Sequence, residues 1–147
     1  MRIRNAFLAN HAETREGLAF VSGGFPESYT VFALPLNASL AAVWVVELDE
    51  TEIGRSFLLD LRVSDPRGVT RPVAHLGVGR SQDTPTVHGA PLYVIVTYRF
   101  LVELQVVGLH TFEVVCDGQV MATMPLFVNV LERGGEEQAG ASDSPGR

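Results

Sequence analysis

The chain has 147 residues, with no lysine, eleven arginines and seventeen acids, a formal net charge of −6, and 46 % hydrophobic against 19 % charged residues. That length suits one domain able to bury a core without staples, and the composition excludes disorder of the whole chain, which needs low hydrophobicity and high charge density. Arginines that stand singly in an acidic chain exclude a broad nucleic-acid surface; the missing lysine excludes Schiff-base and P-loop lysine chemistry; the lone Cys116 excludes an internal disulfide and a multi-cysteine zinc site.

The opening residues 1–11 are basic, but their apolar run is only four residues, short of the about 7–15 of a secretory leader. No window reaches the roughly 18 apolar residues of a membrane span. A cytoplasmic protein without membrane contact is expected.

Alternation by two then dominates the chain, the mark of strands with one face in a core. Strands are expected over 2–8, 18–22, 29–36 and 40–48, with a short helical turn over 10–16. Leu40-Ala41-Ala42-Val43-Trp44-Val45-Val46 is apolar on both faces, as in a central or interface strand, and its β-branched residues favour strand over helix. Phe57, Leu59, Leu61 and Val63 alternate with Leu58, Asp60, Arg62 and Ser64, and the turn Asp65-Pro66-Arg67-Gly68 ends that strand. Over 92–107, Val94, Val96, Tyr98, Phe100, Val102 and Leu104 share one face. Phe112, Val114 and Cys116 share one face of the next strand, and Asp117-Gly118 signals a primed two-residue hairpin. The last strand covers 119–130, where Pro125 marks an edge position or a bulge. Beyond Leu131 the residues are mostly Gly, polar or charged, with no large apolar side chain, a composition that cannot repay its ordering entropy. The reading is an all-β chain: an antiparallel β-sandwich of about 7–9 strands over 1–131 and a disordered acidic tail over 132–147.

Asn5-Ala6-Phe7-Leu8-Ala9-Asn10-His11-Ala12-Glu13, Gly17-Leu18-Ala19-Phe20-Val21-Ser22-Gly23-Gly24-Phe25, the stretch 59–68 and Gly108-Leu109-His110-Thr111-Phe112-Glu113-Val114 together carry a resemblance. The chain resembles an uncharacterised bacterial family of short proteins, many from actinobacteria, known as a domain of unknown function. The resemblance spans nearly all of 1–131. It implies an immunoglobulin-like β-sandwich and supplies no activity, cofactor or catalytic residue. Where such sandwiches often carry Gly-x-Tyr, this chain has Gly108-Leu109-His110, so that a ring N–H stands in for the corner hydroxyl with a shorter reach.

Few constellations bear chemistry. Cys116 is in register with the core face and is expected to be a small buried hydrophobe. His11, His75, His88 and His110 lack metal-ligand spacing; a roll of strands that gathered His75, His88 and His110 would make a cupin-like metal site. His11-Ala12-Glu13 imitates a deaminase start without the Pro-Cys-x-x-Cys partner. Glu47, Asp49, Glu50 and Glu52 put four acids within six residues; calcium wants six to eight oxygens, which one loop rarely supplies, and blocks of charge are usually solvated. Gly23-Gly24-Phe25-Pro26 and Gly77-Val78-Gly79-Arg80 read as turns or bulges and not phosphate cradles. No catalytic residue and no cofactor is expected.

The chain is therefore expected to be a non-catalytic protein-interaction or self-assembly module. Apolar excess in 40–46 and 92–107 is its motivation, with edge strands as a second route by strand addition. Its partner is another protein or copies of itself, not nucleic acid or membrane. The alternatives are a ligand binder or enzyme with a His/acidic site (His75, His88, His110, Asp49, Glu50, Glu52) at a loop end, and a structural component of a phage-like or other large assembly.

Overall fold

The computed structural model describes residues 1–24, 28–83 and 88–131. The expected acidic tail over 132–147 lies outside the described residues. Nine strands follow in order: β1 (Arg2–Arg15), β2 (Leu18–Gly24), β3 (Ser28–Val31), β4 (Leu36–Leu48), β5 (Ser56–Ser64), β6 (Thr70–Gly79), β7 (Leu92–Leu104), β8 (Gly108–Cys116) and β9 (Gln119–Val130). One 3-10 turn, Glu50–Glu52, sits between β4 and β5.

The strands form two sheets, β2-β1-β4-β7 and β3-β9-β8-β5-β6, packed face to face as an all-β sandwich. All pairings are antiparallel except β3 with β9, which is parallel and departs from the purely antiparallel expectation. Alternate residues of the inner faces make the core: Leu40, Trp44 and Leu48 from β4 meet Leu59 and Leu61 of β5, Phe112 and Val114 of β8, and Leu126 of β9. Phe100 of β7 and Phe112 of β8 join the sheets with ring centroids 5.7 Å apart. Each such side chain stabilises the fold by about 1.5–3 kcal/mol when fully buried.

The turns read from composition form as expected. Asp117 and Gly118 have φ of 49° and 78°, both positive, between the paired Cys116 and Gln119. Asp65 organises its own turn, since its Oδ1 accepts from the backbone N–H of Arg67 at 2.9 Å and of Val69 at 3.0 Å. Pro125 pairs with Thr111 in the part of β9 that precedes the β3 pairing, which begins at Phe127. The edge is locally open there, so its missing N–H costs no bond on that side.

Three expectations are corrected. Residues 10–16 are not a helical turn: β1 continues through Arg15 and reverses at Glu16-Gly17 into β2. Residues 70–79 are a full strand, so Gly77 and Gly79 lie inside β6 and not in a turn. The strand expected over 29–36 is the four-residue β3, followed by bends, with β4 starting at Leu36.

The β1–β2 hairpin explains why β4 is apolar on both faces. The inner face of β4 carries Leu40, Ala42 and Trp44, so Ala41 and Val43 point outward. Both are nonetheless 0 % and 1 % exposed, in a second cluster with Ala9 and Ala12 of β1 against which Phe7 and Ala19 pack. Ala9 and Ala12 are three apart, and strict alternation would send them to opposite faces. The pairing of β1 with β4 ends at Ala9, while its pairing with β2 keeps one register from Ala9 to Arg15. Gly23 lies opposite Asn10 with φ +62°, and a Cβ there would stand 2.4 Å from the Asn10 side-chain amide nitrogen. Beyond Ala9 the hairpin covers the outer face of β4 and reaches β7, where Thr14 Oγ1 and Thr97 Oγ1 are 3.0 Å apart.

Candidate functional site

The acids clustered in sequence between 47 and 52 separate in space, each with its own partner. Glu47 ends the outward row of β4, and strand pairing sets it opposite Arg2 of β1. Arg2 Nη2 donates to Glu47 Oε1 at 2.6 Å, and Arg4 Nε donates to Oε2. The Arg4 hydrogen bond, then that of Arg2, hold the Glu47 carboxyl down at about 2. Glu52 accepts from the Met1 amino group and, at 2.9 Å, from the Asp49 backbone N–H that opens the 3-10 turn. Burial acts to raise the Glu52 pKa, but the Met1 ammonium and the backbone bond outweigh it and the group ends below its ordinary value. Glu50 accepts from the Gly89 backbone N–H at 2.6 Å, and His88 Nδ1 lies 3.1 Å from the same oxygen. Among the described residues the four carboxylates do not converge on a cation.

The histidines are no closer to a common centre. His75 of β6 lies opposite Asp60 of β5 on the outer face of the five-stranded sheet, with Nδ1 2.6 Å from Asp60 Oδ1, both exposed. His88 is in the connection before β7, almost fully exposed. His110 is in the core with no exposed surface. Its Nδ1 is 3.2 Å from the Gly108 carbonyl oxygen, which can only accept, so Nδ1 carries the hydrogen. Burial pushes the His110 pKa below 6.5. The ring thus ties the corner to backbone two residues upstream, the short-reach version of the tyrosine contact. The cupin-like gathering of His75, His88 and His110 does not form, and among the described residues no group of three or more His, Cys, Asp or Glu is placed to hold a metal ion. Cys116 is buried as expected, and burial pushes its thiol pKa up, away from the reactive thiolate.

A groove of about 350 Å³ opens between the edge strands β6 and β7, lined by Thr14, Gly77–Gly79 and Val94–Thr97. No lining side chain titrates. The surface is apolar in places that the core does not use: outward Leu101 of β7 is 75 % exposed, and Phe20 of β2 is 51 % exposed. The β2 surface was missed in sequence because its apolar residues read as ordinary strand alternation; the available signal was the absence of any charge over 18–24.

Fold and faces together define a two-sheet β-sandwich without a convergent catalytic or metal constellation among the described residues. The model of the Family of unknown function (DUF6941) matches residues 4–129, and the chain belongs to that family. No curated protein matches the chain. Among solved structures, the Pseudomonas fluorescens alkylpurine DNA glycosylase AlkC bound to DNA containing an abasic site analog is similar over 71 % of this chain, with a TM-score of 0.42 and 10 % identity. This chain spans 28 % of the length of that one, and a likeness of that size carries nothing about activity. No helix among the described residues is long and apolar enough to cross a membrane.

Proposed function

We propose that the chain is a non-catalytic protein-interaction or self-assembly module acting in the cytoplasm, with another protein or its own copies as partner and no cofactor. One observation carries the reading: Glu47, Glu52, Asp65 and His110 are engaged in local structure, while large apolar side chains stand in solvent. Glu47, Glu52, Asp65 and His110 each hold a strand end or a turn. Leu101 and Phe20 have no such role, and apolar surface left outside a complete core marks interaction sites. The apolar excess of 40–46 no longer supports an interface, because Ala41 and Val43 are covered by the chain's own hairpin. That of 92–107 still does.

Within this reading the sandwich is immunoglobulin-like. Support comes from the order β9-β8-β5 in one sheet, the β4–β7 pair in the other, and β3 running parallel to β9.

Affinity capture from the source organism, with the full chain and residues 1–131 side by side, tests the function. A stoichiometric partner, or the chain itself, is expected, with capture weakened by Leu101→Asp or Phe20→Asp. Recovery of the bait alone by all versions overturns the reading and points to small-ligand binding.

A further inference from the structure

Two open sheets have four edge strands, and an open edge is a row of unpaired backbone donors and acceptors that templates another strand. Three of the four edges here carry a device against that. β3 is only four residues long. β6 carries Arg71 and Pro72 beside an irregularity in its pairing with β5. β7 carries Arg99 and Glu103. β2 carries none: its seven residues, Leu-Ala-Phe-Val-Ser-Gly-Gly, include no charge and no proline. Leu18, Phe20 and Val21 are all exposed on it.

The turn decides which backbone groups of β2 are free. Arg15 pairs with Leu18 across Glu16-Gly17, whose φ values of 51° and 77° are both positive. In such a primed two-residue hairpin the flanking residues bond each other. Alternation along the ladder then aims the N–H and C=O of Leu18 and Phe20 at β1, and those of Ala19 and Val21 outward.

We propose that β2 pairs antiparallel with β2 of a second copy about a two-fold axis, joining two four-stranded sheets into one of eight. The proposal rests on the interaction-module reading and names its partner. A two-fold axis makes an antiparallel edge self-complementary, because each outward donor meets the matching acceptor of the same strand. A register centred on Phe20 sets Ala19 opposite Val21 as the hydrogen-bonded pairs and brings the two Phe20 rings across from each other, a favourable cross-strand pair. Charge selects the same place. A chain of net charge −6 repels its copy, and of the three edges longer than four residues β2 alone carries no charged side chain.

Sedimentation equilibrium of the full chain from about 1 to about 300 μM tests this, since a weak dimer declares itself by concentration. A reversible monomer–dimer equilibrium is expected. Val21→Pro removes an outward N–H without touching the β1 ladder, and Phe20→Lys sets two ammonium groups across the axis. Each should weaken dimerisation by about tenfold or more, with far-UV circular dichroism unchanged; Phe20→Lys decides the matter if the proline variant does not fold. Leu58→Ser, on the exposed face of the other sheet, should leave the dimer intact. A wild-type chain that stays monomeric throughout, or a dimer indifferent to a folded Phe20→Lys variant, overturns the pairing. A monomer that still captures a stoichiometric foreign protein overturns the pairing alone and leaves the interaction reading standing.

Discussion

Glu47 couples the first strand to the fourth through charge. Its carboxylate, held by Arg4 and Arg2, titrates at about 2 and not at the ordinary 4.5. The unfolded chain takes up that proton near 4.5 and the folded chain only near 2. The stabilisation is therefore whole above about 4.5 and lost as pH falls toward 2. Asp65 adds to the same trend, since the Arg67 hydrogen bond holds it below its ordinary value. Glu47→Gln is expected to lower the melting temperature at pH 7 and to shrink the further fall between pH 4.5 and 2. A melting profile parallel to wild type would show that the pair contributes nothing. His110 has the same sign from a different cause. Burial lowers its pKa, so the unfolded chain gains a proton near 6.5 that the folded core resists, and stability is lost as pH falls below 6.5. His110→Phe should flatten the melting profile just below pH 6.5, at the cost of the bond to the Gly108 carbonyl.

At the scale of elements, the contrast between Val43 and Leu101 is a direct test of the hairpin. Both point outward from the four-stranded sheet, but Val43 is covered and Leu101 is not. Val43→Ser should cost about 1–3 kcal/mol, as in a core, and Leu101→Ser no more than about 0.5 kcal/mol, as read by urea unfolding. Gly23→Ala should also destabilise, by about 1–3 kcal/mol, because it adds left-handed strain and meets Asn10. Which elements were legible in the sequence follows the same physics. β5, β7, β8 and β9 show alternation because one face of each lies in the main core. The far half of β1, with Asn10, His11, Glu13 and Thr14, does not, since it is held by β2 and a small cluster of alanines instead. β6 was obscured by Pro72, Gly77, Gly79 and the register shift that breaks its period. The acids at 47–52 were visible as a group, but their separation was not: Arg2, Arg4, Met1 and Gly89 reach them from far along the chain.

For the whole molecule, joining β2 to its copy makes thermal stability a matter of mass action. The melting temperature of the wild-type chain should rise with protein concentration, and that of Phe20→Lys should not. Differential scanning calorimetry at several concentrations separates the two, and coincident wild-type curves would count against association of the folded state. The parallel β3–β9 pair, joined only through residues distant in sequence, is the part of the topology that no local pattern announced.

The end of the β1–β4 pairing at Ala9 is also expected to divide the molecule by how easily it opens. The cluster on the outer face of β4 is built from alanines, one valine and the flanks of Phe7 and Ala19, far less apolar area than the main core with Trp44 and Phe112. The hairpin is therefore expected to open as a cooperative unit of its own while the two sheets remain packed. Amide hydrogens of residues 12–22 should exchange with deuterium through that smaller opening, well before those of β4, β5 and β8 exchange through global unfolding. Every lifting event would uncover Ala41 and Val43, the outward residues of the stretch that is apolar on both faces.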